Sequence, residues 1–147
     1  MVKRLIETGQ VKIKKKIDDR VTFHDPCHLG RYNKGFDAPR EVIKLLGCEL
    51  VEMGRNRDNS FCCGAGGGRI WIPDPVGIEK PSANRMKEAG QIEGLQVFVV
   101  SCPKDLTMFE DALKKSGLEG KFVVSELIEL IDECVEDEVW EEASVEA

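Results

Sequence analysis

Nothing in this sequence stays apolar for the ~20 consecutive residues that a helix needs to cross a bilayer. Its opening stretch, MVKRLIETGQVKIKKK, also lacks the apolar core and small-residue cleavage site of a secretory signal. A cytoplasmic protein is expected, or one held at the periphery of a membrane complex by other subunits. Aromatic residues are few, and no basic stripe is interleaved with them, which argues against a nucleic-acid surface. The one compact basic run, Val11–Lys16 (VKIKKK), reads as a solvated face, or as a contact for an acidic partner or anionic lipid. There is no internal repeat and no low-complexity segment.

What is present fits one domain with a real core: 147 residues, 41% hydrophobic and 33% charged. The net charge of −6 is local. From Asp132 to Ala147 there are eight acids and no base, and without that stretch 21 basic residues face 19 acidic ones. A basic lead-in over 1–20, a body over 21–135 and an acidic, frayed or disordered tail over 136–147 are expected.

Within the body, β-prone and helical patterns alternate. Val21–His24 is a short strand closed by Pro26, which cannot donate to a ladder. Ala38–Leu46 crowds its apolar residues on one side and stops at Gly47, as a helix does. Glu49–Met53 reads as the second strand, and Gly54–Ile70 as a glycine-rich loop. Pro81–Gln91 is a polar helix with proline in its first turn. Gln96–Ser101 is the clearest buried strand. Pro103 opens a helix over Lys104–Lys115, Lys121–Val124 is a fourth strand, and Ser125–Val135 is a helix capped by Ser125 with Ile128 and Ile131 inward. The alternation predicts an α/β, Rossmann-like parallel sheet of about four strands with helices on both faces.

Six cysteines without a secretion signal point to metal or thiol chemistry rather than a disulfide scaffold. Cys48 and Cys134 suit the role of small buried hydrophobes. The other four fall just beyond predicted strands: Cys27 after the first, Cys62 and Cys63 in the loop after the second, Cys102 directly after the third. In open α/β sheets that edge carries the ligand site. Soft sulfur donors select zinc or iron–sulfur clusters. Structural zinc sites favour close Cys-x-x-Cys pairs, whereas an adjacent pair suits the wider spread of irons in a cluster. Gly64 and Gly66, in the run Gly64-Ala65-Gly66-Gly67-Gly68, remove bulk so that backbone N–H groups can approach sulfur. The run lacks the Lys-Ser/Thr ending of a phosphate loop. A thiol redox switch or zinc domain is the competing reading.

Three segments carry a family resemblance: His24-Asp25-Pro26-Cys27-His28-Leu29-Gly30-Arg31-Tyr32, then Asn59-Ser60-Phe61-Cys62-Cys63-Gly64-Ala65-Gly66-Gly67-Gly68, then Ser101-Cys102-Pro103. They resemble the cysteine-rich CCG domain found in the B and D subunits of heterodisulfide reductase and in related iron–sulfur oxidoreductases, with the D type closest. The resemblance implies one [4Fe-4S] cluster, cubane or non-cubane, held by Cys27, Cys62, Cys63 and Cys102. It also implies redox partners of ferredoxin-like, flavoprotein or cytochrome b type, and a thiol, disulfide or other small substrate; the alternative is a pure electron relay. His24 and His28 flank Cys27 and are candidate proton carriers. Where the family has Cys-x-x-Cys, this chain has Cys102-Pro103-Lys104-Asp105, so Asp105 is the third candidate catalytic residue.

If Asp105 is what separates this chain from five-cysteine relatives, wild-type protein prepared anaerobically gives a cubane-like EPR spectrum. Asp105→Cys then shifts it toward the five-thiolate type. Identical spectra return Asp105 to the role of a helix-start acid.

Overall fold

The computed structural model describes residues 1–73 and 76–135. Four parallel strands, β1 (Arg20–Phe23), β2 (Glu49–Leu50), β3 (Val97–Val100) and β4 (Val123–Glu126), form one sheet in the order β2-β1-β3-β4. Five helices accompany them: α1 (Val2–Glu7), α2 (Asp37–Leu45), α3 (Pro81–Ala89), α4 (Pro103–Lys115) and α5 (Leu127–Asp132).

The two-residue period of a strand divides the core in two. Val21, Phe23, Val97 and Val99 pack with Val42, Ile43, Leu46, Leu127, Leu130 and Ile131 of the α2/α5 side. Phe98 and Val100 point the other way, onto Met86, Ala89, Phe109, Ala112 and Leu113 of α3 and α4. The first connection, through α2, leads to one edge of the sheet over one face; the next two, through α3 and α4, lead to the other edge over the opposite face. The order therefore reverses between β1 and β3, and the crevice beyond their carboxyl ends is where such sheets bind ligands.

The parallel sheet with helices on both faces is as expected; several boundaries are not. β2 ends at Leu50 rather than Met53, because Glu52 turns to Arg40 and Met53 joins the core on the other face. β4 begins at Val123, since Lys121 N–H closes a turn on the Leu118 carbonyl and Phe122 drops into the core. Ser125 lies in β4 and does not cap the last helix; Glu126 precedes that helix, and Glu129 accepts from the Glu126 N–H and the Ser125 hydroxyl, both at 2.9 Å. With that later start, Leu127, Leu130 and Ile131 form the inward stripe, and Ile128, expected inside, is 56% exposed.

Cys48 and Cys134 are buried in the α2/α5 core, where burial raises both thiol pKa values, Cys48 to about 11. Ile13, from the basic lead-in, bridges Val135, and Val2 and Ile6 of α1 pack on the same core. The acidic tail expected over 136–147 lies outside the described residues.

Phe98, fully buried, stacks edge-on to Phe109 with ring centroids 5.0 Å apart. Phe98→Ala is expected to lower unfolding stability by about 3–5 kcal/mol in urea titrations.

Candidate functional site

Three loops meet at the switch point. The first follows β1 and becomes a single wide turn, His28–Tyr32, tied by Gly30 N–H to the Pro26 carbonyl at 2.8 Å. The second runs from β2 to α3 and carries the adjacent cysteines. The third is the step from β3 into α4, with Cys102 as the residue before the helix and Pro103 in its first turn.

Cys27, Cys62 and Cys63 line one cleft together with His24, Asp25, Arg31, Ser60, Phe61 and Asp105. Cys27 and Cys62 are exposed at its mouth and Cys63 is buried on its floor. The enclosed part measures only about 10 Å³, room for about one water. Cys102 is half-buried at the same sheet edge but is not in the cleft wall. All six cysteines are free thiols. Among the described residues, no group of three or more His, Cys, Asp or Glu is gathered closely enough to hold a metal ion.

The backbone after the cysteines turns back on them. Gly64 N–H donates to Cys62 Sγ at 3.2 Å, and Ala65 N–H to Cys63 Sγ at 3.5 Å. Gly64 has φ +87°, and an added Cβ would press on the Pro81 ring, so this position is reserved for glycine by both strain and space. Gly66 is different: its φ is not positive, and a Cβ there would meet nothing within 4 Å.

Asp105, on the first turn of α4, is buried and faces Cys63. Burial raises the carboxyl pKa, partly offset by the hydrogen bond with the Cys63 thiol. Burial, helped by that carboxyl, pushes the thiol itself up to about 12. Asp105 Oδ2 has no hydrogen-bond partner among the described residues, and His24 Nε2 lies 3.9 Å from it. His24 is buried between Phe98 and Phe109, with Phe109 edge-on at 4.6 Å. Its Nδ1 accepts from Arg85 Nε at 3.4 Å, which leaves the proton on Nε2, toward Asp105. Burial, with Arg85 adding to it, lowers the His24 pKa to about 3. His28 lies apart from this group: it is exposed, rests against the Tyr32 ring at 5.1 Å and does not line the cleft.

Two ion-pair networks hold these loops. Arg40 donates from Nη1 and Nη2 to the buried Asp25 carboxylate at 2.6 and 2.9 Å, and from Nη2 to Glu52 at 3.0 Å. Burial alone would lower the Arg40 pKa, but the bonds from Asp25 and Glu52 more than offset it. Asp25 also accepts the Arg57 N–H at 2.7 Å, and Arg31 donates to the Ser60 carbonyl. On the other side, fully buried Arg85 donates to Glu88 at 2.8 Å and to the Arg55 carbonyl at 2.7 Å. Arg55 reaches Glu88 and lies over the Phe61 ring at 4.0 Å. Sequence reasoning missed Asp25, Arg40, Glu52, Arg85 and Glu88 as a framework. A signal was available: Arg40 and Arg85 sit on the inward stripes of α2 and α3, and a charge in such a stripe is buried only with a partner.

Residues 21–110 match the family described as CCG, cysteine-rich domain. A Bacillus subtilis protein named probable iron-sulfur-binding oxidoreductase FadF is 38% identical over 136 residues, covering 89% of this chain and 18% of that protein. The EtfAB:quinone oxidoreductase of Syntrophomonas wolfei is 32% identical over 90% of this chain and 19% of its own length. The D subunit of the dihydromethanophenazine:CoB–CoM heterodisulfide reductase of Methanosarcina mazei is 38% identical over 89% of this chain and 31% of its own. The chain thus spans between about a fifth and a third of the length of these relatives. No solved structure matches it, and no described helix is long and apolar enough to cross a membrane.

The depressed His24 pKa has a sign that can be tested. The unfolded imidazole binds a proton below about pH 6.5 while the folded one stays neutral down to about 3, so stability falls as pH falls across that window. From pH 7 to pH 5 this group alone removes about 2 kcal/mol. Urea titrations of His24→Gln are expected to show a correspondingly flatter pH dependence than wild type.

Proposed function

This chain belongs to the cysteine-rich CCG domain family of heterodisulfide reductase-like iron–sulfur oxidoreductases, and from that premise we propose that it is the cluster-bearing redox module of a larger oxidoreductase. In this reading Cys27, Cys62, Cys63 and Cys102 hold one [4Fe-4S] cluster. The observation that carries it is the arrangement of thiols: three line one cleft and the fourth caps α4 at the same sheet edge. Two of them already accept backbone N–H groups, as thiolates around a cluster do. Held by these thiols, such a group would supply one-electron chemistry.

The chain's own residues set the conditions for that chemistry. The N–H groups of Gly64 and Ala65 lower the electron density on sulfur, and Gly66 leaves the approach from outside open. The α4 N-terminus, with its free N–H groups, favours negative charge at Cys102. Asp105 stands beside Cys63, at the position of the second cysteine in the Cys-x-x-Cys pattern that the family resemblance implies. His24, held neutral at ordinary pH by burial and bonded to Arg85, faces Asp105 across 3.9 Å. His28 is the histidine in contact with solvent, outside the cleft wall. Partner subunits of ferredoxin-like, flavoprotein or cytochrome b type would deliver or take the electrons, with a thiol, disulfide or other small molecule as the final substrate.

Iron and acid-labile sulfide analysis of anaerobically reconstituted protein tests this. Substituting Cys27, Cys62, Cys63 or Cys102 singly by Ala is expected to lower iron content, whereas Cys48→Ala and Cys134→Ala leave it unchanged. Equal iron in all six variants, or a colourless zinc protein, defeats the proposal.

A further inference from the structure

A second concavity lies beside the cysteine cleft, on the α2/α5 face. It is a groove of about 390 Å³, the size of a small-molecule site. Its wall is apolar and comes from three helices: Val2 of α1, Pro39 and Val42 of α2, and Leu127 and Ile131 of α5. Lys3 and Glu126 are the one cation and one anion in that wall, and Lys3 is engaged by Glu41 at 2.5 Å and Glu7 at 3.5 Å. An occupant is therefore held by apolar contact rather than by charge. The groove also reaches the cysteine edge: Leu29 lies two residues after Cys27, and Ser101 and Pro103 flank Cys102.

The path of the chain points to the occupant. Val135 N–H bonds to the Ile131 carbonyl at 3.1 Å, so Val135 stands one turn from the groove wall. Its bridge to Ile13 is antiparallel, so the chain passes through Val135 in the reverse direction of the lead-in, toward Val11. Val11 N–H in turn meets the Leu5 carbonyl at 3.0 Å, one turn of α1 from Val2 in the same wall. Residues 136–147 read EDEVWEEASVEA, six acids around a single aromatic, Trp140, with Val139 beside it. Trp140 is five residues beyond Val135, a reach of up to about 17 Å of extended chain, which spans the distance to a wall one turn away.

We infer that Val139 and Trp140 seat in this groove, so that the segment 136–147 covers the α2/α5 side of the cysteine edge. The partner for the groove is thus part of this chain, and the inference holds with or without a cluster at the cysteines. An indole, which buries about 150–250 Å² when enclosed, supplies the adhesion, and tryptophan is the usual anchor of such contacts. The acids on either side of Trp140 stay in water, as a polar rim does around an apolar centre. Because Ser101 and Pro103 belong to the wall, the seated indole shields Cys102 from that side.

The test reads Trp140 directly in the full chain. Trp71→Phe leaves it the sole tryptophan, and Trp71 is 85% exposed, so the change spares the core. In that protein acrylamide quenching of the indole is expected to be about threefold or more weaker than in concentrated urea. Adding Ile128→Asp puts a charge in the groove wall at a position 56% exposed. Ala38→Glu does the same from the exposed first turn of α2, where an acid suits the helix, and serves should the first variant misfold. Either is expected to bring quenching to the urea value with circular dichroism unchanged, and to speed iodoacetamide labelling of Cys102 relative to Cys62. Quenching at the urea value before the groove is altered, or protection that survives both groove variants, overturns the inference. So does labelling of Cys102 that does not change, or protection lost on dilution, which gives the groove to the segment of a second copy.

Discussion

Asp25 is buried at the end of β1, where an unpaired carboxylate would be penalised by several kcal/mol. Arg40 removes the penalty by gripping both carboxylate oxygens, and the rest of the site is arranged around that grip. Through Glu52 the same guanidinium fixes the direction in which the chain leaves β2. Through the Arg57 N–H, Asp25 fixes the start of the loop that brings Cys62 and Cys63 back over β1. One buried ion pair thus couples two strand ends, one helix and the cysteine loop. Such a pair adds little net stability over an apolar equivalent, but breaking it by removing one partner is expensive. Its work here is positional.

On the opposite face the same logic recurs with a cation at the centre. Arg85 is fully buried under α3, where its Nη1 donates to Glu88 and the Arg55 carbonyl and its Nε reaches His24. His24 in turn separates the aromatic packing of Phe98 and Phe109 from the polar cleft. The polar floor, with Cys63 and Asp105, is therefore laid directly on an apolar core, and burial drives the shifts at His24, Asp105 and Cys63.

The sheet and the side of it that carries the cysteines were legible in the sequence, because strand ends were marked by Pro26 and Pro103 and the apolar runs were short and unambiguous. Element boundaries were less so. Glu52 follows Arg40 rather than the strand pattern, and α5 starts two residues late because Ser125 pairs with Glu129 from the last strand. The six-residue α1 was invisible: it has no capping side chain and takes its place by resting Val2 and Ile6 on a core built from distant residues. The separation of Cys102 from the cleft wall, and of His28 from His24, depends on how individual loops turn, which spacing alone does not encode.

The antiparallel bridge between Ile13 and Val135, with Lys14 N–H bonded to the Cys134 carbonyl at 2.8 Å, joins the segment that leads into the sheet to the one that leaves it. Entry and exit are thereby zipped together at one point on the body. A unit tied off in this way behaves like a bead on a thread: flanking polypeptide can run to and from it without prying the sheet open. A domain of this build can sit within proteins several times its length, as in the relatives of which it spans about a fifth to a third, with its interior unchanged.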